Sequence, residues 1–152
     1  MSARIFVADD HEIVREGIKS LLRSRPEWTI CGEAADGTNA VKGIRETACD
    51  AVVLDISMPG MSGLEVARRI SIEKPDVRIL IFTMHGGKSL LKAARDAGAH
   101  GLVLKSFAAR DLMRALERII NGDTFFESDA APKEEPSPNA GEIFMRMTPA
   151  LA

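Results

Sequence analysis

The chain has no tyrosine, one tryptophan and two cysteines in 152 residues. Each shortage removes a class of function. With Trp28 standing alone, there is no row of aromatic platforms on which nucleic-acid bases could stack. Trp28 reads instead as a core residue opening a strand. Cys31 and Cys49 are widely separated and form no Cys-x-x-Cys pair. A zinc site or disulfide framework is therefore not indicated, and two buried, reduced thiols are expected. No apolar run approaches the length of about 20 residues that crosses a bilayer. Met1-Ser2-Ala3-Arg4-Ile5 carries no secretory leader pattern. A cytoplasmic protein without membrane contact is the expectation. Neither charge sign dominates, the formal net charge being −2, so DNA binding by this chain is not expected. No Gly-x-Gly-x-x-Gly follows the first apolar run, which argues against a dinucleotide-dependent oxidoreductase.

What is present centres on Asp50-Ala51-Val52-Val53-Leu54-Asp55-Ile56-Ser57-Met58-Pro59-Gly60. A short β-branched and aliphatic run ends in a carboxylate and then in a Pro-Gly turn. A continuous apolar run of this kind reads as a strand buried on both faces of a parallel sheet. In open α/β sheets, ligands gather beyond the carboxyl ends of such strands. Asp55 stands at such an end.

The remaining elements fall into place around it. Residues 4–8 form a first apolar strand ending in Asp9-Asp10. Over residues 11–24 the apolar spacing becomes helical, with Val14, Ile18, Leu21 and Leu22 on one face. Residues 28–35 form a more polar strand suited to a sheet edge, and residues 39–47 a helix with Ala40, Val41 and Ile44 inward. Ser62-Gly63-Leu64-Glu65 is a Ser-x-x-Glu capping box, so a third helix starts just after Ser62 and turns Leu64, Ala67 and Ile70 inward. Residues 77–82 form a strand that delivers Thr83. A Gly86-Gly87 joint leads into a helix over residues 89–97, with Gly98 as its terminator. Residues 101–104 form a strand that delivers Lys105. Residues 108–120 form a final helix, with Leu112, Ala115, Leu116, Ile119 and Ile120 inward. Five alternations of strand and helix, with short right-handed connections, specify an α/β fold with a parallel sheet covered on both faces. Residues 1–126 form this domain. Residues 127–152 are rich in Pro, Ala, Ser and Glu and are expected to be a disordered tail or linker.

The strand ends then supply Asp9, Asp10, Asp55, Thr83 and Lys105 to one rim. Three carboxylates in one cleft repel each other, and a hard divalent cation relieves the repulsion. Mg²⁺ takes one or two carboxylates, several waters and a phosphate. Lys105 adds a cation opposite the carboxylates. The set suits phosphoryl transfer onto a carboxylate.

Taken jointly, Asp9-Asp10, Leu54-Asp55 with Met58-Pro59-Gly60, Thr83, and Lys105 after an apolar strand resemble a response-regulator receiver domain of two-component signalling. The opening Asp9-Asp10-His11 with Val14-Arg15-Glu16-Gly17 is most similar to the NarL/FixJ subfamily. The resemblance implies a flavodoxin-like doubly wound sheet of five strands in the order 2-1-3-4-5. It implies that Asp55 accepts phosphate from a sensor histidine kinase or phosphotransfer protein. It implies Mg²⁺ held by Asp10, Asp55 and the backbone carbonyl of Ser57, with Asp9 acting through a metal-bound water. Lys105 would pair with the phosphoryl oxygens. Thr83 would hydrogen-bond the phosphoryl group and signal its presence to the face made by the fourth helix, fifth strand and fifth helix. It leaves room for a homodimer.

Two positions depart from the family pattern. Leu102 stands where the switch aromatic usually sits, and Ser106 where proline often follows the lysine. The subfamily's helix-turn-helix output domain is not expected in a chain of this length. The alternative reading is a truncated DNA-binding regulator of that class. An enzyme with its own substrate is not expected. A haloacid-dehalogenase-type hydrolase needs a second Asp two residues after the nucleophile, where Ser57 stands.

The other charged residues have simpler readings. His11 reads as a helix-start residue, His85 and Ser57 as neighbours able to influence water access, and His100 as a surface residue. The stripes Arg15-Lys19-Arg23 and Arg110-Arg114-Arg118 read as solvated helix faces rather than docking surfaces.

Overall fold

A computed structural model describes residues 2–126. The expected tail over residues 127–152 lies outside the described residues. Five strands and five helices alternate: β1 Ala3–Ala8, α1 Glu12–Leu22, β2 Trp28–Ala34, α2 Gly37–Glu46, β3 Ala51–Leu54, α3 Gly63–Glu73, β4 Arg78–Thr83, α4 Lys88–Asp96, β5 Gly101–Leu104 and α5 Ala108–Ile120. A 3₁₀ turn, Lys105–Phe107, joins β5 to α5. All strand pairs are parallel, and the order is β2-β1-β3-β4-β5. This is the doubly wound fold expected from the alternation.

Strand side chains alternate between two cores. Ile5, Val7, Val53, Leu80, Phe82 and Val103 pack under Val14, Ile18 and Leu22 of α1 and Leu112, Ala115, Leu116 and Ile119 of α5. Phe6, Ala8, Val52, Leu54, Ile79, Ile81 and Leu102 face the other way, under α2, α3 and α4. Trp28 is buried in the first core. β2 lies at the edge, and much of it is half-exposed, as its mixed composition requires.

Several local readings need correction. In α3 it is Val66 that is fully buried, and Leu64 is only partly so. The Ser62 hydroxyl accepts the Glu65 N–H at 3.3 Å. The Glu65 carboxylate, however, turns to Arg68 and Arg69 rather than back to the cap. Arg15 and Lys19 are half-buried, while Arg23 of the same stripe is exposed as expected. The first two clamp Glu33 on β2, at 2.9 and 2.7 Å. On α5 the solvated-face reading holds, since Arg110, Arg114 and Arg118 are exposed, and Arg110 and Arg114 flank the buried Asp111. His100 is half-buried, and its Nδ1 accepts the Ile79 N–H at 2.9 Å. Cys31 and Cys49 are reduced but only half-buried, and they contact each other. Burial pushes the Cys49 thiol up from 9.0 to about 11.

After α5 the chain returns to the sheet. Phe125 is buried and forms a parallel bridge with Gly101, its carbonyl accepting the Leu102 N–H at 2.9 Å.

Candidate functional site

Register places the acids. Ala8 pairs with Leu54, so Asp9 and Asp55 follow side by side. The Asp55 N–H donates to the Ala8 carbonyl at 2.9 Å. Strand order reverses between β1 and β3, the crevice where open α/β sheets hold their ligands. Thr83 pairs with Leu104 on the neighbouring strands, so Thr83 and Lys105 reach the same rim.

Gly63 sets the depth of the floor. A Cβ there would stand 2.0 Å from the Asp55 carbonyl oxygen. Only a glycine lets the start of α3 press against the end of β3. The Gly63 N–H donates to the Ile56 carbonyl at 2.8 Å and ties the loop down.

Lys105 is fully buried. Its Nζ lies 2.9 Å from Asp9 Oδ2 and 3.3 Å from Asp55 Oδ1. Buried ammonium and carboxylate groups need such pairing to be tolerated. Asp9 spends its other oxygen on the His11 N–H, at 2.8 Å. Asp55 Oδ2 is buried without a hydrogen-bond partner among the described residues, and Asp10 Oδ1 faces only the His11 ring, 2.9 Å away. Burial, reinforced by Asp9 and opposed by Lys105, raises the Asp55 carboxyl from 3.8 to about 6. At neutral pH the ionised, nucleophilic form still predominates.

Asp9, Asp10, His11 and Asp55 each place one ligand atom within 4.8 Å of the others. Three carboxylates against one ammonium leave a surplus of negative charge. One buried carboxylate oxygen, Asp55 Oδ2, stands orphaned in it. A hard divalent cation fits both the charge and the oxygen donors. Sequence reading brought Asp9, Asp10, Asp55 and Lys105 to this rim correctly, and Thr83 is buried on the adjoining strand end. Ser57 is exposed in the loop beyond Asp55. His11 was set aside as a helix-start residue, yet its ring lies in the cluster. Its position directly after two acids was the available signal.

A family profile described as the response regulator receiver domain matches residues 5–117. The chain belongs to the response regulator receiver family. Its receiver is 37% identical over 127 residues to the response regulator UvrY of Escherichia coli K12, covering 84% of this chain and 58% of that protein. The chain thus spans little more than half the length of that relative. A solved two-component response regulator of the LuxR family from Aurantimonas sp. SI85-9A1 is 38% identical, with a TM-score of 0.79, covering 97% of this chain and 99% of that one. The isolated receiver domain of RcsB from Salmonella enterica serovar Typhimurium, solved with the phosphomimetic BeF₃⁻, is 26% identical, with a TM-score of 0.77, covering 95% of this chain and 99% of that one. The receiver is a signalling module. No helix among its described residues is long and apolar enough to cross a membrane.

Proposed function

We propose that this receiver is a phosphorylation-controlled switch whose acceptor is Asp55. A carboxylate oxygen of Asp55 attacks the phosphorus of a phosphohistidine on a sensor kinase or phosphotransfer protein. The phosphorus–nitrogen bond breaks, its electron pair stays on the leaving imidazole, and an acyl phosphate forms. Asp10, Asp55 and the Ser57 carbonyl would hold Mg²⁺, with Asp9 reaching it through water. The ion, when bound, neutralises charge on the phosphoryl oxygens. Lys105 keeps its ammonium beside the acceptor oxygen, where the incoming group's charge develops. Thr83 hydrogen-bonds the phosphoryl group. Its movement biases the α4–β5–α5 face that partners read. Leu102 is buried under α4 and offers no aromatic ring to swing. The readout therefore passes through Thr83 and the β4–α4 segment. Its place of action is the cytoplasm, where kinases of this class present their phosphohistidines. The protein acts as a phosphoacceptor, not as an enzyme with a separate substrate.

The observation that carries this reading is the Lys105 ammonium bridging Asp9 and Asp55 beside an orphaned, buried Asp55 oxygen. Incubation with acetyl phosphate and Mg²⁺ tests it by intact mass. Wild-type protein gains one phosphoryl group, and Asp55→Ala gains none. Undiminished labelling of Asp55→Ala rules out this acceptor.

A further inference from the structure

His11 immediately precedes α1, in the capping position, yet its side chain makes no cap bond. The ring turns back over the strand ends instead. Nδ1 lies 2.9 Å from Asp10 Oδ1 and 3.2 Å from Asp9 Oδ1. The backbone beneath it is fixed. The His11 N–H is held by Asp9 at 2.8 Å, and the Arg15 guanidinium donates to the Asp9 carbonyl at 2.7 Å. The same cluster includes Asp55, whose side chain is 5% exposed and has one oxygen without a partner. That orphaned, buried oxygen is the independent sign that the cluster awaits a ligand.

An imidazole nitrogen among carboxylates changes which ion the cluster prefers. Oxygen-only sites suit Mg²⁺, whereas imidazole suits the later first-row metals, whose affinities for nitrogen donors rise along the series. We infer that His11 Nδ1 is a direct ligand of the divalent ion, and that it makes this receiver's acidic site favour Co²⁺- or Zn²⁺-like ions over Mg²⁺. Asp9 is already committed to Lys105 and to the His11 N–H. The direct donors left to an incoming ion are then Asp10, Asp55 and the Ser57 carbonyl, with the ring as a fourth. The ion takes the place of the hydrogen between Nδ1 and the carboxylates, and the ring moves to the tautomer protonated on Nε2. The proton count is unchanged.

This inference rests on the reading of the pocket as a divalent-ion site, and the test separates the two. Co²⁺ and Mg²⁺ are titrated calorimetrically into the full chain, and the Co²⁺ complex is observed by proton NMR with ¹⁵N-labelled histidine. Wild type is expected to show a contact-shifted imidazole N–H resonance. His11→Ala loses it, and His85→Ala keeps it. The ratio of Co²⁺ to Mg²⁺ affinity falls about tenfold or more in His11→Ala, since loss even of a ligand's outer partner typically costs 10–100-fold. His11→Asn, which keeps a hydrogen-bonding side chain, is expected to fall equally. Co²⁺ binding without a contact-shifted imidazole, a signal that survives in His11→Ala, or an unchanged ratio overturns the ligand role and leaves the pocket reading intact. No binding of either ion overturns both.

Discussion

Asp55 carries its charge in a place that resists charge. Burial, then Asp9, raises its carboxyl from 3.8 to about 6. The sign of the linkage follows. Between about pH 4 and pH 6 the unfolded chain has already lost this proton while the folded chain still holds it. Wild-type stability therefore falls as pH rises through that window, and the loss is complete above about pH 6. Moving the carboxyl from 3.8 to about 6 corresponds to roughly 3 kcal/mol. With divalent ions chelated, Asp55→Asn is expected to unfold at a higher denaturant concentration than wild type at pH 7.5, with the gap closing below pH 4. A variant less stable than wild type at pH 7.5 would mean that the pocket does not strain its own acceptor. The meeting of Asp9, Asp10, Asp55, Thr83 and Lys105 at one rim was readable because these residues lie at the ends of apolar runs. The clamp of Arg15 and Lys19 on Glu33 was not. It depends on α1 lying across β2, which only the strand order reveals. The half-burial of His100 was hidden for the same kind of reason, since its partner is the backbone of a neighbouring strand.

At the scale of elements, the site depends on how closely α3 meets β3. The buried glycine at the start of α3 is the point of contact. In Gly63→Ala the new methyl meets backbone, which cannot rotate aside. A cost at the upper end of the usual 1–3 kcal/mol of overpacking is expected. The rate of phosphoryl uptake should fall as well, because Asp55 and its loop must move. Denaturant unfolding and acetyl phosphate labelling check both. Wild-type stability together with wild-type labelling would show that the contact is slack. The helices themselves were legible from their apolar period, and Gly98 ends α4 at φ 93°, as a terminating glycine should. The face of α3 was read correctly at Ala67 and Ile70, but Val66 was missed in favour of the half-buried Leu64, both being apolar. Periodicity alone cannot choose between two apolar neighbours of a short helix. Likewise, the capping box is only half formed, since two arginines one turn on compete for Glu65.

For the whole molecule, the acidic rim is a liability that a bound cation would relieve. An ion that binds only the folded state at a hundredfold excess over its Kd adds about 2.7 kcal/mol. For a domain of this size that is a rise on the order of 10 °C in Tm. Mg²⁺ is expected to raise the Tm of wild type in this way and to raise that of Asp10→Asn much less. An unchanged wild-type Tm at millimolar Mg²⁺ would count against a bound ion. The two cores and the meeting of distant residues at one rim follow from five apolar parallel strands and short connections, whereas the strand order was implied by the family resemblance. The return of Phe125 to β5 has no local signal and comes from packing across the sheet edge.

The most direct measurement is the position of the phosphoryl adduct. Protein treated with acetyl phosphate and Mg²⁺ is reduced with borohydride, which converts an aspartyl phosphate to homoserine, and then mapped by peptide mass spectrometry. Homoserine is expected at position 55 and nowhere else in the rim. Homoserine at position 9 or 10, with Asp55 untouched, would contradict Asp55 as the acceptor.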